Sequence, residues 1–238
     1  MNRLRVLCSV VFMTIVVGCW AEANDSQHLG IQLGFNRPLL REATALAPSP
    51  TLTVAMNGIK AGLVYDATLV KGFGLTIAVN YTIANTYGRW IDGKGLTKYP
   101  QTRLQYTMQT VELPIDWQYK FMIAQDTYLI LYTGPKLEYD FIFNKVNYTR
   151  DVDGNITKNT TGIYTIDSDN DGKTDYSKFN ITWGVGAGFQ YKNYYLRGGY
   201  DFGILNPYSD RYHNIEQYDR RGRLDAWNIR LGLYFFNF

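Results

Sequence analysis

The residues of this chain best spaced for chemistry lie in one polar stretch, Asp167 to Asp175, which reads DSDNDGKTD. Asp167, Asp169, Asp171 and Asp175 follow a D-x-D-x-D-G-x-x-D spacing, so alternate carboxylates can turn toward one hard cation while Gly172 permits the sharp bend between them. Calcium is the ion this pattern suits. Lys178 occupies the twelfth position, where a calcium loop would supply a bidentate glutamate, so the expected affinity is weak, ~10⁻⁴–10⁻³ M. The alternative is a plain hydrophilic loop.

Charge is also placed at alternate positions of apolar runs. Lys60, Asp66, Glu112, Asp116, Lys120, Lys136, Glu138, Asp140, Arg197, Asp201 and Arg230 all fall on the non-greasy side of candidate strands. Buried together, such groups must pair. Catalytic machinery is not expected. The two histidines, His28 and His213, have no nucleophile motif beside them, and neither G-x-S-x-G nor H-E-x-x-H occurs. Asp210 and Glu216 are expected to be solvated loop charges. No catalytic residue and no organic cofactor is assigned.

The elements that must position these charges are strands. From Phe179 to Asn206, apolar Phe179, Ile181, Trp183, Val185, Ala187 and Phe189 alternate with Asn180, Thr182, Gly184, Gly186, Gly188 and Gln190. After a tight Lys192-Asn193 turn the alternation resumes. Successive strand side chains point to opposite faces, so this is a hairpin with one greasy and one small or polar face. A ladder of glycines opposite the greasy face suits side chains crowding into a narrow barrel. Each arm is long enough to cross a bilayer as a tilted strand of ~9–11 residues.

Met1 to Ala23 carries Arg3 and Arg5, an apolar run from Val6 to Val17, and an A-x-A site at Ala21-Glu22-Ala23, the pattern of a secretory signal peptide. Two domains are therefore expected: 1–23, the signal peptide, and 24–238, the barrel. Val16-Val17-Gly18-Cys19 offers a competing lipobox reading. Both cysteines, Cys8 and Cys19, lie in this segment, so a chain cut after Ala23 can form no disulfide. Removing Arg3, Arg5 and Glu22 leaves 22 basic and 20 acidic residues. That balance gives nucleic-acid binding no support. Twenty tyrosines, twelve phenylalanines and five tryptophans suit the two interfaces of a membrane barrel.

Alternation predicts further strands at His28 to Asn36, Gly58 to Asp66, Phe73 to Thr82, Met108 to Phe121, Thr127 to Phe141 and Trp227 to Phe235. Pro114 cannot donate to a ladder, so a local bulge is expected there. Phe236 and Phe238 have opposite parity to Phe235 and opposite parity is expected to mean either a bulge near the end or residues below the bilayer. The connections run long, short, long, short, long, short, long, with long stretches at Arg37 to Met56, Ala84 to Arg103, Asn144 to Lys178 and Pro207 to Asp225. Even strand number, short turns at one end and long loops at the other describe an eight-stranded antiparallel transmembrane β-barrel of outer-membrane type, with four long external loops.

Three segments carry a family resemblance: Val111-Glu112-Leu113-Pro114-Ile115, Gly184-Val185-Gly186-Ala187-Gly188 and Leu196 to Asn206, LRGGYDFGILN. They resemble the PorT-like family of outer-membrane β-barrel proteins. The terminal phenylalanine likewise resembles the insertion signal of outer-membrane proteins, and Asp167 to Asp175 resembles the calcium repeats of thrombospondin-type and dockerin-like proteins. The resemblance implies a multi-pass barrel in the outer membrane of a Gram-negative cell, in contact with its lipid. It also implies a non-enzymatic structural or accessory component, in a protein-secretion apparatus with other outer-membrane proteins as partners. A small porin-like pore and a loop-mediated binding or adhesion protein are the alternatives.

Overall fold

The computed structural model describes residues 26–44, 47–70, 72–92, 101–151, 153–167, 174–208 and 220–237. Eleven strands form one sheet: β1 (Gln27–Thr44), β2 (Ala47–Ala55), β3 (Asn57–Val70), β4 (Phe73–Asn85), β5 (Ile91–Asp92), β6 (Gln101–Ala124), β7 (Thr127–Arg150), β8 (Ile156–Gly162), β9 (Phe179–Tyr191), β10 (Tyr194–Gly203) and β11 (Arg220–Asn237). Eight of them close a ring in the order β1, β3, β4, β6, β7, β9, β10, β11, with β11 pairing back onto β1 and every pairing antiparallel. Closure removes the open edges that a bilayer cannot solvate.

Stepping across successive partners from Gln118 through Tyr132, Gly186, Gly199, Asn228, Asn36, Gly58 and Ala84 returns to β6 at Met108, ten residues from the start. With ~3.3 Å rise and ~4.8 Å between strands, that shear over eight strands gives a tilt of about 40°. Both chain ends of the described barrel and the three tight turns lie at one end. The turn residues Asp126 and Lys192 adopt φ of 56° and 51°, and Gly72 adopts 89°.

The outer face is a membrane face. Ile31, Leu33, Ile59, Leu63, Val79, Leu131, Leu196, Ile229 and Leu231 are exposed around the waist. Phe73, Tyr119, Phe121, Tyr191, Tyr194 and Phe235 ring the short-turn end, and Tyr81, Tyr139, Phe141, Phe179, Phe202 and Trp227 ring the other. An aliphatic belt between two aromatic girdles is the outside of an outer-membrane barrel. On this face Trp183 donates its indole N–H to Thr133 Oγ1 at 2.8 Å, so no polar hydrogen is left facing lipid there.

Three details differ from the sequence expectation. Pro114 makes no bulge: Leu113↔Leu137, Pro114↔Lys136 and Trp117↔Thr133 keep one register, as do Ile77↔Ile115 and Asn80↔Glu112 on the other side. The ladder skips rungs near the proline, and the strand absorbs the missing donor without an inserted residue. Register shifts sit elsewhere, among them one at Gln109/Thr110 and one at Leu29/Gly30. The second accounts for the parity of Phe236: Leu29↔Phe236 and Gly30↔Tyr234 leave Phe235 as an extra residue, so Phe235 and Phe236 both face outward, while Phe238 lies outside the described residues. Finally, the strands run past the membrane. The stretch 37–56, expected to be irregular, continues β1 to Thr44 and returns as β2, while β6 and β7 reach 24 residues each.

Candidate functional site

All eleven charges expected on the lumen face are buried inside the barrel. They pair in layers. Nearest the short-turn end, Asp66 accepts from Lys120 Nζ at 2.7 Å, Arg197 Nη2 at 2.8 Å, Gln118 Nε2 at 2.8 Å, Tyr234 Oη at 2.9 Å and Thr76 Oγ1 at 3.1 Å. Arg197 also donates to Thr76 Oγ1 and Gln118 Oε1. His28 stacks on Tyr234 at 5.0 Å, so this histidine is an aromatic wall of the mouth. One layer further in, Arg230 meets Asp116 at 3.5 Å and lies over the Tyr132 ring at 5.2 Å.

The central layer joins three acids to two lysines. Lys136 Nζ lies 2.7 Å from both Glu138 and Asp201, and Lys60 pairs with Glu112. Asn180 and Thr82 donate to the other oxygens of Glu138 and Glu112, and Asn228 donates to the same Asp201 Oδ2 that Lys136 contacts. Above it Asp140 accepts from Thr110 and from Tyr164 Oη at 2.6 Å. Charges removed from water this completely persist only when each is paired and its remaining lone pairs are satisfied.

The glycine ladder has a steric cause. A Cβ on Gly232 would lie 2.1 Å from the Tyr195 ring, and one on Gly186 would lie 2.3 Å from Tyr132. The tyrosines therefore fold across the interior over strands that have no side chain of their own at those points.

Two features of the outer end were not anticipated from the sequence. Leu40, Val54, Met56, Ala84, Met108, Phe143 and Leu224 form an apolar cluster inside the barrel mouth, and Ile163 from the β8–β9 connection is buried into it. Leu40, Met56, Ala84, Met108 and Leu224 all carry the lumen parity of their strands, so extending the alternation would have found them; Phe143 is hidden by the bulge at Asp140–Ile142. Asp225 is the second. It accepts from Tyr200 Oη at 2.8 Å and Gly203 N at 3.0 Å and pairs with Arg223 Nε at 2.9 Å and Arg41 Nε at 3.2 Å, tying β1, β10 and β11 at the rim.

Of the expected calcium ligands, Asp169 and Asp171, with Gly172, lie outside the described residues. Asp167 and Asp175 flank them, and the base of the loop is closed by Asp175 N donating to Ile166 O at 2.8 Å. Among the described residues no group of three or more His, Cys, Asp or Glu is placed to hold a metal. His213, Asp210 and Glu216, and the signal segment with Cys19, also lie outside the described residues.

No curated protein matches the chain. Among solved structures, Ail, the attachment invasion locus protein of Yersinia pestis, solved alone and with the heparin analogue sucrose octasulfate, shares 11% identity in the complexed form, with 90% of this chain and 100% of that one covered and a TM-score of 0.39. Neisserial surface protein A shares 13% identity, covering 86% of this chain and 97% of that one, with a TM-score of 0.37. The outer membrane protein beta-barrel domain matches residues 21–208. That match spans most of the chain and agrees with the closed ring, the lipid-facing belt and the girdles: the protein belongs to the outer membrane protein beta-barrel domain family and resides in the outer membrane of a Gram-negative cell.

Proposed function

We propose that this protein is a non-enzymatic, non-conducting barrel that serves the outer membrane as a structural or accessory component. The observation that carries the reading is the filled interior: a ladder of paired charges from Asp66 to Glu138, then Asp140 held by Thr110 and Tyr164, with an apolar cap of Leu40, Met56, Met108, Phe143 and Ile163 above it. An eight-stranded lumen is just wide enough for its own side chains. A solute crossing it would have to displace ion pairs whose partners cannot be rehydrated in place.

The accessory role proposed is in a protein-secretion apparatus, supported by the resemblance of segments 111–115, 184–188 and 196–206 to PorT-like barrels. The test is deletion of the gene in the native host, followed by comparison of the proteins released into the medium. The role predicts loss of a defined set of released proteins, restored by the wild-type gene. An unchanged set would contradict it. For the loop 167–175 weak calcium binding is the proposed chemistry, checked by calorimetry against an Asp169→Ala, Asp171→Ala variant; identical heats would leave a hydrophilic loop.

A further inference from the structure

Beyond the outer girdle, β5, β6, β7 and β8 continue as a free-standing sheet. One row of residues crosses it: Lys158 of β8 pairs opposite Tyr148 of β7, which pairs opposite Arg103 of β6. The Arg103 guanidinium carbon lies 4.4 Å from the Tyr148 ring centroid and 5.2 Å from that of Trp90. Arg150, one row further out, lies 5.2 Å from the same Trp90 ring. Two guanidiniums thus share one indole.

Their electrostatics set them apart. Each lumen cation meets a carboxylate, and Arg41 and Arg223 share Asp225. Arg103 and Arg150 meet none among the described residues; their buried Nε atoms lack a hydrogen-bond acceptor, as do those of Arg197 and Arg230. The polar contact of the Arg150 guanidinium is a donation to Gln101 Oε1 at 3.4 Å. Cation–π attraction offsets part of the repulsion between the two arginines, and an anion would remove the rest while using their planar donor forks.

The position of the cluster decides which anion. Arg103 shares the parity of Gln109 and Val111, so this row continues the lipid-facing side of the barrel and looks sideways over the membrane. It lies eight residues beyond Val111, whose partner Tyr139 belongs to the outer girdle. At ~3.3 Å per residue and the tilt derived above, that is roughly 20 Å above the hydrocarbon edge. Glycolipid sugars, rather than acyl chains or interfacial phosphates, occupy that height in an outer leaflet.

We propose that Trp90, Arg103, Tyr148, Arg150 and Lys158 form a site for the acidic, phosphate- or carboxylate-bearing core saccharide of the outer-leaflet glycolipid. The guanidiniums take its anionic groups, and the aromatic rings offer faces to the sugar. The site depends on outer-membrane location and not on the accessory role proposed above.

The test uses the full chain in detergent micelles, titrated by thermophoresis with lipopolysaccharide carrying a complete phosphorylated core and with deep-rough lipopolysaccharide that lacks it. The wild type is expected to bind the complete form about tenfold or more tightly than the deep-rough form, with delipidated core oligosaccharide competing. Arg103→Ala with Arg150→Ala should lower that affinity by about tenfold or more while retaining the heat-dependent gel mobility of a folded barrel, Arg103→Lys with Arg150→Lys should fall between, and added salt should weaken binding. Equal binding of the two glycolipids by the wild type would overturn the proposal even if the alanine variant failed to fold. So would unchanged affinity in a folded alanine variant, or inorganic phosphate competing as well as the oligosaccharide.

Discussion

Asp66 concentrates the physics of this molecule in one carboxylate, fully buried yet accepting from five side chains on four other strands. Replacing Arg197 with alanine strips one of its two cationic partners and leaves Lys120 alone to compensate. A destabilisation of about 3 kcal/mol is expected, read as a lower urea midpoint for unfolding in micelles. Steric limits are as local. Gly232→Ala places a methyl against a Tyr195 ring that is held by a 2.8 Å bond to Gln32, so a loss of about 1–3 kcal/mol is expected in the same assay. At the β7–β8 turn, Asp151 accepts from Asn155 Nδ2 at 2.9 Å, Asn155 N at 2.8 Å and Asp153 N at 3.0 Å. The Asn155 side-chain bond foremost, with the backbone donors, holds the carboxyl below its usual range. A depressed carboxyl stabilises the turn above its unfolded value and loses that contribution as pH falls through the folded one. Amide exchange at Asp153 and Asn155, corrected for intrinsic rate, should therefore become less protected on acidification below the ordinary aspartate range; protection independent of pH would contradict the assignment.

The apolar cap behaves as an element with its own stability, because it is closed by a loop and not by the ring of strands. Ile163→Ala should speed exchange at Ile166 N, which donates to Ile163 O, and at Asp175 N, while leaving the ladder around Asp66 protected. Equal acceleration at both levels would show that cap and barrel unfold as one unit. Legibility in the sequence follows the solvent on each side of an element. Where one face meets lipid and the other the lumen, as from Ile59 to Tyr65 or Trp227 to Leu233, strict alternation made the strand and its inward charges readable. Above the girdle neither face meets lipid, and the β8 segment ITKNTTG carries no alternation although it pairs along its length with β7. The cap escaped for a related reason: apolar residues at lumen parity, such as Met56 and Leu224, look like strand ends rather than an internal plug. The carboxylate Asp225 read as loop charge because its partners Arg41 and Tyr200 are distant in sequence.

At the scale of the whole molecule, ring closure and a filled lumen make two separate claims. Closure pairs β11 with β1 over most of their length, so the folded barrel should survive mild detergent and run at a different gel mobility before and after boiling. Recovery of the protein in the soluble periplasmic fraction with no heat-dependent mobility would contradict it. The filled lumen is the more consequential claim, since it separates an accessory barrel from a small pore. Planar-bilayer recording of the pure, folded protein tests it most directly: the paired interior and its apolar cap predict a quiet membrane without steady conductance steps, and a stable conductance of general-porin size would contradict the account.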